Sequence, residues 1–542
     1  MNNRHTIIYL TIILCFSWLS ADTLPLRFDL RDVDGVNYVS SVKSQMGGTC
    51  WTHAVMAAME SNLMRNMTVA SEPDLSEYHL DWWNGFNLYF NRDVGMYPSE
   101  GLEVHMGGDY RVASAYLSRG DGAIMEPAGG PYYDDPPAFR DSSYQYYYAR
   151  HILWHQLDDD LSNMDFIKRQ IMDHGAAGTC MYVGSEFLDD SVGGTFWQPP
   201  WDPNDPNHAI AIIGWDDSIR TAAPEPGAWL CKNSWGTSWG NDWGGGGYFW
   251  ISYYDKHAVR HPEMGFVSFQ YVEPMRYDKI YYHDYHGWRD TLDVKDAFNA
   301  FVADDRDTLV AVSFYTAADS VRYTVKMYRS RSEVEQDLHH VSQTGLIPHA
   351  GFHTVDLDSV ILLTAADSFF VRLHLDKGGQ AHDRTSIVPV LLDVPSLYAQ
   401  KLQDTIVPSR AKPGESFYLE NGIWHDLQGI DTTANFCIKA LVRKNTFSQP
   451  NPPPPLPAFM GVYPNPVSQR AVIDYTLSEA TTVLLQLYDI RGRLQRTLEN
   501  HHRSAGYHWS EYDLSHLSAG IYICILKVDG KMIDSRKIVM VK

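Results

Sequence analysis

Basic residues are scarce in this chain. Its 44 Lys and Arg stand against 66 Asp and Glu, a formal charge of -22 that opposes broad association with nucleic-acid phosphates or anionic lipid. Nucleic acid is therefore excluded as a partner. Charged residues in total make up only 20%, but hydrophobic residues at 44% and aromatics at 13% exclude an unfolded chain. No repeat at solenoid or propeller spacing is present. The N-terminal apolar run, Ile7 to Leu19, is shorter than the roughly 20 residues a membrane helix needs. It follows a short polar, basic start and precedes Ser20-Ala21, so residues 1–21 read as a secretory signal peptide, with no transmembrane helix in the mature chain. Cysteine is sparse too. Removing the leader with its Cys15 leaves Cys50, Cys180, Cys231, Cys437 and Cys524, an odd set that prompts a search for a reactive thiol.

At 542 residues the chain exceeds one ordinary core, and three or four units are expected. Residues 22–262 are rich in Trp, Tyr and Gly and mix helical with strand-like patterns. Residues 275–443 carry short alternating runs such as Val310-Ala-Val-Ser-Phe-Tyr and Phe369-Phe-Val-Arg-Leu-His-Leu, which predict a β-sandwich. Six prolines within the eight residues Pro450 to Pro457 mark a linker over 445–459, a polyproline II spacer. Residues 460–542 form a further all-strand unit; from Gly461 on it holds ten Lys and Arg against eight Asp and Glu.

The segment Val42-Lys-Ser-Gln-Met-Gly-Gly-Thr-Cys-Trp-Thr-His-Ala-Val-Met carries the chemistry. Trp51, Ala54, Val55, Ala58, Met59 and Leu63 recur at helical spacing after Cys50, with Thr49 as a candidate N-cap. Cys50 then occupies the first turn of a buried helix, where free N–H groups and the positive end of the macrodipole favour a thiolate. A thiolate nucleophile needs an acid partner near neutrality. His208, opening the apolar run His208-Ala-Ile-Ala-Ile-Ile-Gly-Trp, is expected at the exposed mouth of a buried strand. Asn233, in Cys231-Lys-Asn-Ser-Trp-Gly, is the candidate to orient the imidazole. Taken singly, each has a plainer role as a core, boundary or turn residue; their order and flanks single them out. His53 shares the helix face of Cys50 and is a weaker candidate for a metal or auxiliary base.

These motifs resemble the papain family of cysteine peptidases: Gln45 ahead of Cys50-Trp51, His208-Ala-Ile, and Asn233-Ser-Trp-Gly followed by Gly247-Tyr-Phe-Trp-Ile. The resemblance implies a two-lobed α+β domain in which the Cys50 thiolate attacks a peptide carbonyl, His208 protonates the leaving group, Asn233 aligns the ring and Trp235 shields that bond. The Cys50 N–H and the Gln45 amide would hold the oxyanion. Gly107 and Gly108 match a bare-backbone segment that pairs with an extended peptide, and Asn207 and Trp235 join them as substrate-side positions. Gln45 stands five positions before Cys50 where the family has six, and the family's extra Cys before the nucleophile is missing. Cys180 and Cys231 are expected as buried free thiols, with a disulfide between them as the alternative. The stretch Leu24-Pro-Leu-Arg-Phe-Asp resembles the start of a mature domain and directly follows the leader, so no inhibitory propeptide is expected.

In the tail, Val462-Tyr-Pro-Asn-Pro, Leu487-Tyr-Asp-Ile-Arg-Gly-Arg and Leu517-Ser-Ala-Gly-Ile-Tyr resemble the type A sorting domain of type IX secretion cargo. That implies an Ig-like β-sandwich read by an outer-membrane translocon after passage through the periplasm. The middle unit resembles the lectin-like β-domain of some bacterial papain-like peptidases, which makes a glycan a candidate ligand; Trp288 and Trp424 are candidate stacking platforms, with core packing the commoner use of each. The expected fold class is multidomain, α+β followed by all-β, and the expected protein is a secreted or surface-displayed cysteine peptidase needing no metal and no cofactor. The rival reading is a catalytically inactive surface protein that binds glycan or protein through its β-sandwich.

Overall fold

The computed structural model describes residues 24–66, 71–390, 405–444, 458–463, 465–503 and 506–541. The expected leader and the proline run lie outside the described residues. The N-terminal unit is organised around helix α1 (Cys50–Asn66), flanked by α2 (Glu77–Trp83), α3 (Tyr110–Ser118) and α4 (Met164–His174). Residues 50–63 of α1 are buried on every side, polar ones included. Burial on that scale requires partners for each polar group. Ser61 Oγ accepts from Ala176 N at 2.9 Å, Asn62 Nδ2 donates to His174 O at 2.7 Å, and Asn62 Oδ1 accepts from Val272 N at 2.9 Å. Thr49 precedes the helix and its carbonyl accepts from His53 N at 3.2 Å, the N-cap position, while its hydroxyl donates to Met46 O at 3.0 Å.

Against α1 lies an antiparallel sheet in which Phe266–Pro274 pairs with Tyr147–His155 and Ala177–Met181, followed by His208–Asp216, Ala228–Lys232 and Tyr248–Ser252. Ala209 to Ile213 are buried in succession, as expected for a strand covered on both faces. This sheet does not stop at the end of the N-terminal unit. The strand Tyr147–His155 also pairs with Gly351–Leu362, matching Leu153 with Gly351 and His151 with His353, and the ladder continues through Asp307–Thr316 and Ile438–Lys444 to a total of thirteen strands. The middle unit therefore shares a backbone ladder with the N-terminal unit.

A six-stranded sheet packs over the far part of that ladder and closes a sandwich whose core includes Phe301, Val312, Phe314, Tyr323, Val325, Phe369 and Leu373. The tail is a second sandwich, three strands against four, around Phe459, Ile473, Leu485, Leu487, Leu526 and Ile538. Tyr271 Oη donates to Asp474 Oδ2 at 3.2 Å and links the tail to the large sheet.

Gly351 sits where the two units meet, at φ 149°, and a Cβ there would lie 2.2 Å from the carbonyl oxygen of Ile152. The Gly351→Val variant is expected to lose on the order of 2–3 kcal/mol through strain at the junction. Val360→Ala, on an exposed position of the same strand, should change stability by less than about 0.5 kcal/mol. Chemical denaturation of both variants measures the difference.

Candidate active site

Cys50 is the first residue of α1 and belongs to the same apolar cluster as Cys180 and Ala209, the residue after His208. His208 opens its strand and Asn233 follows the neighbouring strand Ala228–Lys232, so strand pairing brings the two side chains together. His208 Nε2 lies 2.8 Å from Asn233 Oδ1. That oxygen can only accept, so Nε2 carries a hydrogen whether the ring is neutral or protonated, and Nδ1 is the nitrogen left for proton exchange. Asn233 Oδ1 also accepts from Ser234 N at 2.8 Å, which fixes the amide. The Trp235 ring stacks on the His208 ring at 4.7 Å and 29°, and Trp239 meets Trp235 edge-on at 5.1 Å. His208 was expected at an exposed mouth; it is 0% exposed, because the indole lies across the ring and the amide covers its edge.

Gln45 is half-buried and tied to the Asn233 segment. Its N–H donates to Ser234 O at 2.7 Å, its Oε1 accepts from Ser234 Oγ at 2.6 Å, and its Nε2 donates to Gly47 O at 3.0 Å. Gly48 N donates to His105 O at 2.7 Å, joining this loop to the one that leads to Gly107 and Gly108. Both glycines are buried. A Cβ on Gly108 would lie 2.6 Å from Trp51 Cε2, so the packed indole of Trp51 requires glycine there, a reason distinct from room for substrate. Asn207 commits its side-chain oxygen to Val183 N at 2.7 Å.

Residues 24–264 match the model of the papain family of cysteine proteases, residues 280–442 that of a lectin-like domain, and residues 461–542 that of the secretion system C-terminal sorting domain. The N-terminal unit belongs to the papain family of cysteine peptidases. Solved structures agree on the fold. The clostridial cysteine protease Cwp84 after propeptide cleavage is 22% identical, with 77% of this chain and 99% of that chain covered and a TM-score of 0.55. The cysteine protease and lectin-like domains of Cwp84, a surface layer associated protein of Clostridium difficile, are 21% identical, covering 78% of this chain and 90% of that one with a TM-score of 0.59. The sorting domain makes the peptidase a type IX secretion cargo, secreted or displayed on the outer cell surface. No helix among the described residues is long and apolar enough to cross a membrane.

Behind the peptidase site lies a buried ionic network that the sequence reading missed. Glu60 of α1 accepts from Ser40 Oγ at 2.5 Å, from Lys43 Nζ at 3.0 Å and from Leu75 N at 2.7 Å. Lys43 also reaches Glu77 Oε1 at 2.7 Å, and Lys232, next to Asn233, donates to Ser40 Oγ at 2.9 Å. Burial pushes the Glu60 and Glu77 carboxyls up, and the Lys43 ammonium between them opposes the shift. A signal existed in the sequence: Glu60 interrupts an apolar helix, and Lys232 ends the apolar run Ala228-Trp-Leu-Cys.

His53 faces this network with Nδ1 donating to Thr49 O at 2.8 Å, and it joins no metal-ligating cluster among the described residues. Cys180 and Cys231 are buried free thiols, as are Cys437 and Cys524. Trp288 and Trp424 are half-buried; Arg111 lies 4.5 Å from the Trp288 ring, and Phe298 and Arg372 lie 4.7 and 5.2 Å from the Trp424 ring. Both indoles serve packing.

Removing one partner of a buried ion pair strands the other, so Glu60→Ala is expected to cost about 3–5 kcal/mol, read by urea denaturation. Burial first, then Lys43 and Lys232, lower His53 to about 3. The unfolded chain therefore binds a proton near pH 6.5 that folded His53 refuses, and stability present above pH 6.5 falls as the pH drops towards 3. At pH 5 this amounts to about 2 kcal/mol. His53→Gln should remove that part of the stability difference between pH 7 and pH 5 in the same denaturation experiment.

Proposed function

We propose that this papain-family enzyme hydrolyses peptide bonds through a Cys50 thiolate and a His208 imidazolium oriented by Asn233. The hydrogen bond between His208 Nε2 and Asn233 Oδ1, 2.8 Å long under the Trp235 ring, carries the reading. It holds one ring nitrogen and leaves Nδ1 as the only nitrogen for proton exchange with sulfur. Attack forms the Cys50–carbonyl bond, and collapse breaks the peptide C–N bond as His208 gives its proton to the departing amine. Water, deprotonated by His208, then cleaves the thioester and regenerates the thiolate. The Cys50 N–H and the Gln45 amide stabilise the oxyanion, the amide turning from Gly47 O as substrate enters. Gly107 and Gly108 present backbone to an extended peptide, with Asn207 and Trp235 on the opposite side of the groove.

Cys50→Ala is expected to abolish cleavage of a peptide library, and Cys50 should react with a papain-directed epoxide near pH 6 faster than the other thiols. Equal reactivity of all five cysteines would reassign the nucleophile. Gln45→Ala should lower kcat about 100- to 1,000-fold; an unchanged rate would remove Gln45 from the oxyanion site. Residues 460–542 are the address read by the translocon, so a chain lacking them should accumulate in the periplasm, as measured by cell fractionation.

A further inference from the structure

A second cluster of ligating side chains lies where the peptidase meets the lectin-like domain. Asp93 sits in the turn between the short paired strands Phe90–Asn91 and Gly95–Met96, whereas His286 and Asp383 come from the lectin-like side. Their ligating atoms all fall within 4.8 Å of one another. His286 is 1% and Asp383 0% exposed. His286 Nε2 lies 3.2 Å from Gly85 O, which accepts, so Nε2 carries a hydrogen and Nδ1 is the ring nitrogen placed to ligate. That Nδ1 is buried without a hydrogen-bond partner and points at Asp93 Oδ2, 3.6 Å away.

The carboxylates are only partly served by their surroundings. Asp93 Oδ2 accepts from Ser409 Oγ at 3.1 Å and Arg410 N at 3.2 Å. Asp383 Oδ2 accepts from His286 N at 3.2 Å and faces the same Ser409 Oγ at 3.4 Å, and its Oδ1 accepts from Asn435 N at 2.7 Å. One hydroxyl hydrogen cannot serve both carboxylates fully. The nearby Arg119 is spent elsewhere: Nε on Asp121 at 2.7 Å, Nη2 on Asn84 O at 2.8 Å, and Nη1 on Tyr285 O. Two carboxyl groups and the Nδ1 of an imidazole thus converge on one point.

We propose that Asp93, His286 and Asp383 bind a divalent transition-metal cation of the zinc class, which clamps the lectin-like domain onto the peptidase. The imidazole decides the class, since purely oxygen ligands suit calcium and magnesium whereas nitrogen suits zinc and its neighbours. Tetrahedral zinc with bonds of about 2.0–2.2 Å sets its ligand atoms roughly 3.3–3.6 Å apart, the spacing His286 and Asp93 already have. Gly85 O does what an outer partner of a ligating histidine does, fixing the tautomer and the ring. The clamp also reaches towards the cleft: Leu88 N donates to Leu102 O at 2.7 Å and Leu102 N to Phe86 O at 2.8 Å, so the segment bearing Asp93 is laced to the loop that leads to Gly107.

The test uses the full chain stripped with chelator, reloaded with Zn²⁺ and freed of excess by gel filtration. Elemental analysis should find about one zinc per chain more in the wild type than in His286→Gln or Asp383→Asn, with a zinc-dependent rise in Tm in the wild type alone. Equal zinc content and equal Tm shifts in all three would overturn the proposal, as would a rise in Tm with Ca²⁺ but not with Zn²⁺. Should either variant fail to fold, Co²⁺ loaded into the wild type decides: ligand-field bands without thiolate charge transfer are expected. Thiolate bands, or no bands, would overturn the assignment.

Discussion

The carboxylate of Glu60 is the point on which the peptidase site depends. It lies in the middle of the helix that begins with Cys50, and it gathers the hydroxyl of Ser40, the ammonium of Lys43 and the N–H of Leu75. Ser40 in turn takes a hydrogen bond from Lys232, the neighbour of Asn233, and Lys43 lies two residues before Gln45. One buried side chain therefore links the helix that begins with Cys50, the strand that leads to Asn233 and the loop that holds Gln45. A charge held so far from water is costly unless each of its lone pairs is met. Its partners therefore have little freedom to shift independently.

The large sheet extends this constraint beyond the peptidase. Because Tyr147–His155 pairs with a peptidase strand on one edge and with Gly351–Leu362 on the other, the lectin-like domain is continuous with the peptidase through backbone hydrogen bonds. Domain interfaces within a chain are usually side-chain contacts that permit relative motion; a shared ladder resists it. Tyr315, on a strand of the lectin-like domain, donates from Oη to Ser118 Oγ at 3.3 Å at the end of α3. The Asp93, His286 and Asp383 cluster spans the same seam.

Much of the site was legible because the chemistry is written in short segments. Cys50 at a helix start, His208 at the head of an apolar run and Asn233 at the end of another each carry local patterns that need no partner to be seen. The sandwiches were legible for a similar reason, since alternation along a strand reports one buried face. The shared ladder, the burial of His208 and the commitments of Gln45 and Asn207 were not legible. Each depends on a contact between residues far apart in sequence: Gly351 with Leu153, Trp235 with His208, Ser234 with Gln45, and Val183 with Asn207.

The reason for Gly108 shows the division most clearly. Sequence by itself determined the Cys50, His208 and Asn233 candidates through residue type and local period, and the papain-like, lectin-like and sorting units through motifs that resemble those families. Only the tertiary structure decided that Gly108 yields to the indole of Trp51, that Glu60 pins three segments at once, and that His286 and Asp383 meet Asp93 across a seam. These are outcomes of packing, where the position of one side chain is set by atoms the neighbouring sequence does not contain.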